Sequence, residues 1–209
     1  YALAFGRMAP SRQPDLRVTP HEGPQCVMSL AYPNPELRSD AVRLRKWSLD
    51  DLDCVRAAGT DPRIPEGTTV PARYTEEAGR AFIERCWARN DDGRALVLAI
   101  APATTNTAKG LVYLGPSRVE GQCRLGYWVI PDARRQGLGK EAIRLVSRCV
   151  LTDTHVHRLV ARVQTHNESS MKLLLNCGFK EEGVLRSWLW IGDDVFDVIQ
   201  LSLLRSDLA

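Results

Sequence analysis

The stretch Tyr127-Trp128-Val129-Ile130-Pro131-Asp132-Ala133-Arg134-Arg135-Gln136-Gly137-Leu138-Gly139-Lys140-Glu141-Ala142 limits what this chain can fold into more than any other part of it. Its apolar start predicts a strand ending at Ile130, closed by Pro131, and a basic, glycine-containing turn then opens directly into an amphipathic helix. A junction of this kind builds an anion site. The first N–H groups of a helix have no intrahelical acceptor and lie at the positive end of its dipole. Gly137 and Gly139 let a phosphate approach the backbone without a Cβ in the way, and Arg134, Arg135 and Lys140 can add charge-assisted donors. The spacing is not that of GxxxxGK[ST], because Gly137 and Lys140 lie too close together and Glu141 follows the lysine. A dinucleotide fingerprint also fits poorly, since it belongs in the first strand–helix unit and here three strands precede it.

Around this junction the pattern is that of an α/β domain. Val42–Trp47 alternates apolar and basic residues as a half-buried strand does, and Ser48 with Asp50 and Asp51 starts a helix through Leu52 and Val55. Asp61–Arg73 holds three prolines and predicts a loop. Thr75 opens a second helix with Glu76 and Glu77 in its first turn and Phe82, Ile83 and Cys86 on its apolar face. Strands are expected at Arg94–Ala101, Gly110–Leu114 and Cys123–Ile130, followed by a helix at Leu138–Leu151. A strand at Arg158–Gln164, a short helix at Asn167–Cys177 stopped by Gly178, and strands near Phe179–Leu189 and Val195–Leu203 complete the order. Three successive strands followed by strand–helix–strand units imply a mixed sheet with helices on both faces. Residues 1–40 differ, because they hold half of the 12 prolines and no sustained period. They read as an extended arm with one short strand at Gln25–Ala31, leaving 41–209 as the domain.

Composition excludes several classes. A net charge of +3 is too small to argue for a nucleic-acid binder, and no apolar run reaches the roughly 20 residues of a membrane span. The six cysteines form no CxxC pair and no histidines have HExxH spacing, so no metal site is expected. The cysteines read as reduced, small apolar residues of a cytoplasmic protein.

The loop Arg134-Arg135-Gln136-Gly137-Leu138-Gly139 resembles the acetyl-CoA loop of the GNAT N-acetyltransferase superfamily, Gln/Arg-x-x-Gly-x-Gly/Ala. Gly126-Tyr127-Trp128-Val129, the segment from Asn167-Glu168-Ser169-Ser170 to Asn176-Cys177-Gly178-Phe179, and the opening strand Val42–Trp47 look like the branch that acetylates ribosomal-protein N-termini. The resemblance covers residues 41–204. It implies a GNAT fold with a mixed sheet of six to seven strands, splayed between the strand of Val129 and the strand of Val163, partly through a β-bulge. It further implies acetyl-CoA as cosubstrate. The pantetheine arm would pair near Val129 and Ile130, the pyrophosphate would rest on Arg135, Gln136, Gly137, Leu138, Gly139 and Lys140 with help from Arg134, and Asn167 would contact the cofactor or cap its helix.

The attacking amine must lose a proton and the departing thiolate must gain one. Many relatives use a tyrosine seven residues after the helix asparagine for the thiolate, but that position here is Leu174. Ser170 matches a serine given that role in the ribosomal branch. Glu66, in the proline-bounded loop, is the candidate base, with Glu120 and Asp132 behind it. The expected activity is therefore acetyl transfer from acetyl-CoA to a primary amine, with a protein or peptide N-terminus as first choice of acceptor. A small antibiotic-like amine, or a non-catalytic acyl-CoA-binding module, are the alternatives. The arm also leaves room for a homodimer.

Overall fold

The computed structural model describes residues 30, 32–33, 36–93 and 95–208. In chain order they form β1 (Leu37–Arg38), β2 (Val42–Arg45), α1 (Leu52–Gly59), α2 (Arg63–Gly67), α3 (Glu76–Asp91), β3 (Leu96–Pro102), β4 (Gly110–Pro116), β5 (Gln122–Val129), α4 (Leu138–Asp153), β6 (Arg158–Gln164), α5 (Glu168–Leu175), β7 (Lys180–Ile191) and β8 (Asp194–Leu204). All strands join one eight-stranded sheet in the order β1-β2-β3-β4-β5-β6-β8-β7. Only β5 and β6 pair in parallel, as a strand–helix–strand crossover through α4 requires. The sheet thus exceeds the expected six to seven strands, and two-residue β1 is too short to announce itself in the sequence.

Local chemistry sets the helix starts. Ser48 and Asp51 form a capping box, in which Ser48 Oγ accepts from Asp50 N–H at 3.2 Å and the Asp51 carboxylate accepts from Ser48 N–H at 2.9 Å. Asp51 is buried and also takes two donors from Arg45 at 2.7 and 2.8 Å, which ties α1 to β2. Thr75 Oγ1 caps α3 by accepting from Ala78 N–H at 3.1 Å. The expected loop at 61–73 instead contains α2. Pro62 and Pro65 read as breakers, but both fall in the first turn, where a missing N–H leaves no hydrogen bond unmade.

Helices cover both faces of the sheet, α1 to α3 on one and α4 with α5 on the other. Trp128 of β5 meets Trp47 and Phe82 of α3 at ring-centroid distances of 5.9 and 6.5 Å, and all three are buried. Its neighbour Tyr127 points the opposite way, toward α4, as strand alternation demands. At the start of β3, buried Asn90 donates to Val97 C=O and accepts from Val97 N–H, closing α3 onto the strand. Leu30 is buried in the core and its N–H reaches Gly93 C=O, so the described part of the N-terminal segment packs on the domain. The expected strand at Gln25–Ala31 otherwise lies outside the described residues. Cys54, Cys86 and Cys123 are buried free thiols, and burial pushes Cys86 and Cys123 up to about 12. Among the described residues no helix is long and apolar enough to cross a membrane, and no cluster of His, Cys, Asp or Glu is arranged to hold a metal.

A split between two strands beside a glycine turn

Strands β5 and β6 pair only through Gln122↔Arg158, Cys123↔Leu159 and Arg124↔Val160. Beyond that point β5 stays on β4 as far as Val129↔Gly110, and β6 stays on β8 as far as Gln164↔Val198. The edges 125–129 and 161–164 therefore pair only with their outer neighbours and leave a gap between them. The expected bulge is absent from this region: the β4–β5 register is unbroken, and the shifts in the sheet lie between β7 and β8. The strands part because each follows its own outer neighbour. Ile130 N–H is directed at Lys109 C=O, on the β4 side. Alternation then turns the N–H of Val129 into the gap.

The turn after β5 lies at the mouth of this gap. Pro131–Ala133 makes one 3₁₀ turn, after which Arg135 and Gly137 adopt left-handed backbone, φ +62° and +79°. A side chain costs about 1–2 kcal/mol in that conformation, which explains a glycine at 137. Alternating hands in a short segment point successive N–H groups to one side, making a concavity suited to anions. Among the described residues the N–H groups of 135–140 have no backbone acceptor, and Glu141 is the first to bond back, to Gly137 C=O. A Cβ on Gly137 would meet nothing within 4 Å, so that side of the turn is open. Gly139 serves packing instead, since a Cβ there would lie 3.4 Å from both Val129 Cγ2 and Leu173 Cδ1. Leu138 is buried, whereas the side chains of Arg135, Gln136 and Lys140 are exposed. A turn of unpaired donors beside a strand-sized gap fits a ligand with phosphates at one end and an extended amide arm at the other.

Arg134 behaves differently from its neighbours. Its Nε donates to Val129 C=O at 3.0 Å and its Nη2 to Asp61 Oδ2 at 2.6 Å. Asp61 is 7% exposed, accepts from Arg63 as well, and caps α2 through Arg63 N–H. The arginine thus binds the glycine turn to the loop after α1, and its charge is directed at a carboxylate of the protein. Asp61→Ala is expected to lower unfolding stability by about 1–3 kcal/mol, because it removes the buried carboxylate that accepts from Arg134 and from Arg63 N–H. Arg63→Ala, at an exposed side chain, is expected to cost at most about 0.5 kcal/mol. Urea titration of both variants checks this, and an Asp61→Ala midpoint equal to wild type would reject the coupling.

On the α4 and α5 side of the gap, Ser170 Oγ lies 2.8 Å from Tyr127 Oη, and both groups are buried. Burial pushes the Tyr127 phenol well above its ordinary range, so it is protonated at neutral pH. Asn167 caps α5, its side chain accepting from Ser170 N–H at 3.2 Å. Leu174, seven residues after Asn167, is fully buried core. Glu66 stands exposed on α2, and a small cleft on the opposite face of the sheet is lined by Thr68, Thr69, Phe82, Tyr113 and Trp128, without Glu66 among its lining residues. The sequence reading did not find the meeting of Tyr127 with Ser170, since no local pattern relates residues 43 positions apart.

The sequence model of the acetyltransferase (GNAT) domain matches residues 41–180. The uncharacterized N-acetyltransferase p20 of Bacillus licheniformis is 25% identical over 174 residues, 83% of this chain and 98% of that protein. The ribosomal protein uS5-alanine N-acetyltransferase of Escherichia coli is 32% identical over 85 residues, 41% of this chain and 44% of that enzyme. Among solved structures, Mycobacterium smegmatis RimJ in complex with CoA-disulfide superposes with a TM-score of 0.71 at 23% identity, covering 83% of this chain and 87% of that one. The microcin C7 self-immunity acetyltransferase MccE, in complex with acetyl-CoA and AMP, gives 0.72 at 21% identity, covering 84% and 98%.

Proposed function

The chain belongs to the GNAT acetyltransferase family and is an acetyl-CoA-dependent N-acetyltransferase, and we propose that its acceptor is the α-amine of a protein or peptide N-terminus. The observation that carries the acetyl-CoA site is the run of unpaired N–H groups from 135 to 140 opening onto the split between β5 and β6. The N-terminal acceptor is supported by the similarity to the uS5-alanine enzyme, which spans 85 residues.

In this reading the catalytic domain is residues 41–209 together with β1 and Leu30 from the preceding segment, which join the same sheet and core. The N–H groups of Arg135, Gln136, Gly137, Leu138, Gly139 and Lys140 hold the pyrophosphate, and the open edge of β5 up to Val129 holds the pantetheine arm, whereas Ile130, expected to share that role, has its N–H on Lys109 C=O and its C=O on Ala133 N–H. Acetyl-CoA supplies an activated acetyl thioester. The Val129 N–H, aimed into the gap, is the donor for the carbonyl oxygen as negative charge develops there, a contribution typically worth about 3 kcal/mol. Arg134 acts by fixing Val129 and the turn, and Asn167 by fixing the start of α5. The amine attacks directly in a ternary complex, so alignment of the two reactants supplies most of the rate. Ser170, backed by the protonated Tyr127, gives a proton to the leaving thiolate, and Glu66 receives the amine proton from the other face.

The test is incubation with acetyl-CoA and peptides beginning with Ala or Ser, reading thiol release and the position of the added acetyl group. The α-amine is expected to be modified. Acetylation of peptides blocked at the N-terminus, or of small amines alone, would overturn the reading. Glu66→Gln is expected to reduce kcat/KM about tenfold to a hundredfold and to remove the acidic limb of its pH profile. An unchanged profile would release Glu66 from the role.

A further inference from the structure

The face of the sheet away from α4 carries a second cluster, placed where the two strands part. Arg124 shares this face with Trp128 by alternation along β5. The pairings Arg124↔Val160 and Arg162↔Gln200 bring Arg162 to the same face, diagonal to Arg124 and two residues past the last β5–β6 pair. Both arginines are half-buried. Arg162 Nε donates to Gln200 Oε1 at 3.2 Å, and its guanidinium lies over the Trp188 ring, 4.7 Å from the centroid. Trp188 reaches it from an irregularity in β7 between Leu185 and Leu189, where Ser187 has φ +49° and its N–H is held by Asp197 at 2.7 Å. Arg124 Nε donates to Pro116 C=O.

Neither arginine forms an ion pair among the described residues. The nearby carboxylates are committed elsewhere. Glu182 accepts from Arg158, from Ser202 Oγ at 2.8 Å and from Gln200 Nε2 at 3.2 Å, and Asp197 holds Ser187. Burial and the charge of Arg124 both disfavour the charged form of Arg162, a cost that a bound anion would relieve. The phosphates of acetyl-CoA do not meet this need, because the turn that would hold them packs through Gly139 against Tyr127 and Val129, on the opposite face.

We propose that Arg124 and Arg162 receive a carboxylate of the acceptor, so that the enzyme prefers N-termini with an acidic residue within the first few positions. This rests on the N-terminal reading above and specifies its substrate class. The guanidinium of Arg162, held flat by Trp188 and fixed at Nε by Gln200, keeps its outer N–H groups for a bidentate carboxylate contact. Trp188, half exposed, gives the adjoining peptide an apolar wall.

The experiment compares Ala-initiated peptides that differ only in carrying Glu or Lys at positions two to four. KM is expected to be about tenfold or more lower for the acidic peptide, and the difference should shrink as salt is raised. Arg162→Gln and, separately, Arg124→Gln should remove the preference and leave KM for acetyl-CoA unchanged. Calorimetric titration of the same peptides into CoA-saturated enzyme reads binding without turnover. Equal acetylation of both peptides, unaffected by either variant, would sink the anion site and leave the N-terminal reading standing. Binding of the acidic peptide without acetylation would uphold the anion site and overturn the N-terminal reading. No binding and no acetylation of either peptide would overturn both.

Discussion

Gly137→Glu is expected to abolish saturable acetyl-CoA binding, with Kd raised by more than about a hundredfold. Two effects act together. The backbone at 137 has φ +79°, which a side chain tolerates only at a cost of about 1–2 kcal/mol. A carboxylate would also stand where the open side of the turn presents N–H groups and the positive end of the 16-residue α4. Gly137→Ala isolates the first effect and should weaken binding only about tenfold. Titration calorimetry with acetyl-CoA, using ATP and NAD as comparison ligands, separates the two. If the glutamate variant bound acetyl-CoA as wild type does, the glycine turn would be a structural junction and the ligand would have to sit elsewhere.

Ser170→Ala should lower kcat by about a hundredfold with KM for acetyl-CoA little changed, the result for a proton donor acting on the leaving group. The substitution keeps the Ser170 N–H that Asn167 accepts, so the start of α5 stays capped. Tyr127→Phe is a milder probe. It preserves the ring beside Gly139 and removes only the hydroxyl, leaving Ser170 Oγ buried without its partner. A loss of about tenfold is expected, together with about 1–3 kcal/mol of stability. Steady-state kinetics and thermal melts distinguish the two outcomes. A Ser170→Ala enzyme with wild-type kcat would assign the thiolate proton to solvent.

What could be read ahead of the structure follows the range of the interactions involved. The β6 strand at Arg158–Gln164 and the starts of α3 and α4 were legible because alternation, a Thr cap and a glycine turn act over a few residues. The short α2 was hidden by Pro62 and Pro65, whose meaning depends on whether they fall at the start of a helix or within it. The glycine turn was legible as an anion site, but not the capture of Arg134 by Asp61, a bond spanning 73 positions. By sequence alone Arg134 reads as one more phosphate donor, since nothing local shows that a buried carboxylate will claim it. The Tyr127–Ser170 and Arg162–Trp188 contacts escaped for the same reason. Each depends on how sheet and helices are brought together.

The split between β5 and β6 bears on how such a chain can diverge. A ligand lying in that gap meets main-chain donors and acceptors, which every residue other than proline carries alike. Substitutions at 125–129 or 161–164 that keep the strands apart therefore leave the hydrogen-bonding pattern of the gap in place. The glycine turn is exacting at Gly137 and permissive at the exposed side chains of Arg135, Gln136 and Lys140. Recognition resting on the backbone tolerates extensive drift in the side chains around it. Conversely, a proline introduced along either open edge would harm ligand capture far more than most changes of polarity or charge at the same positions.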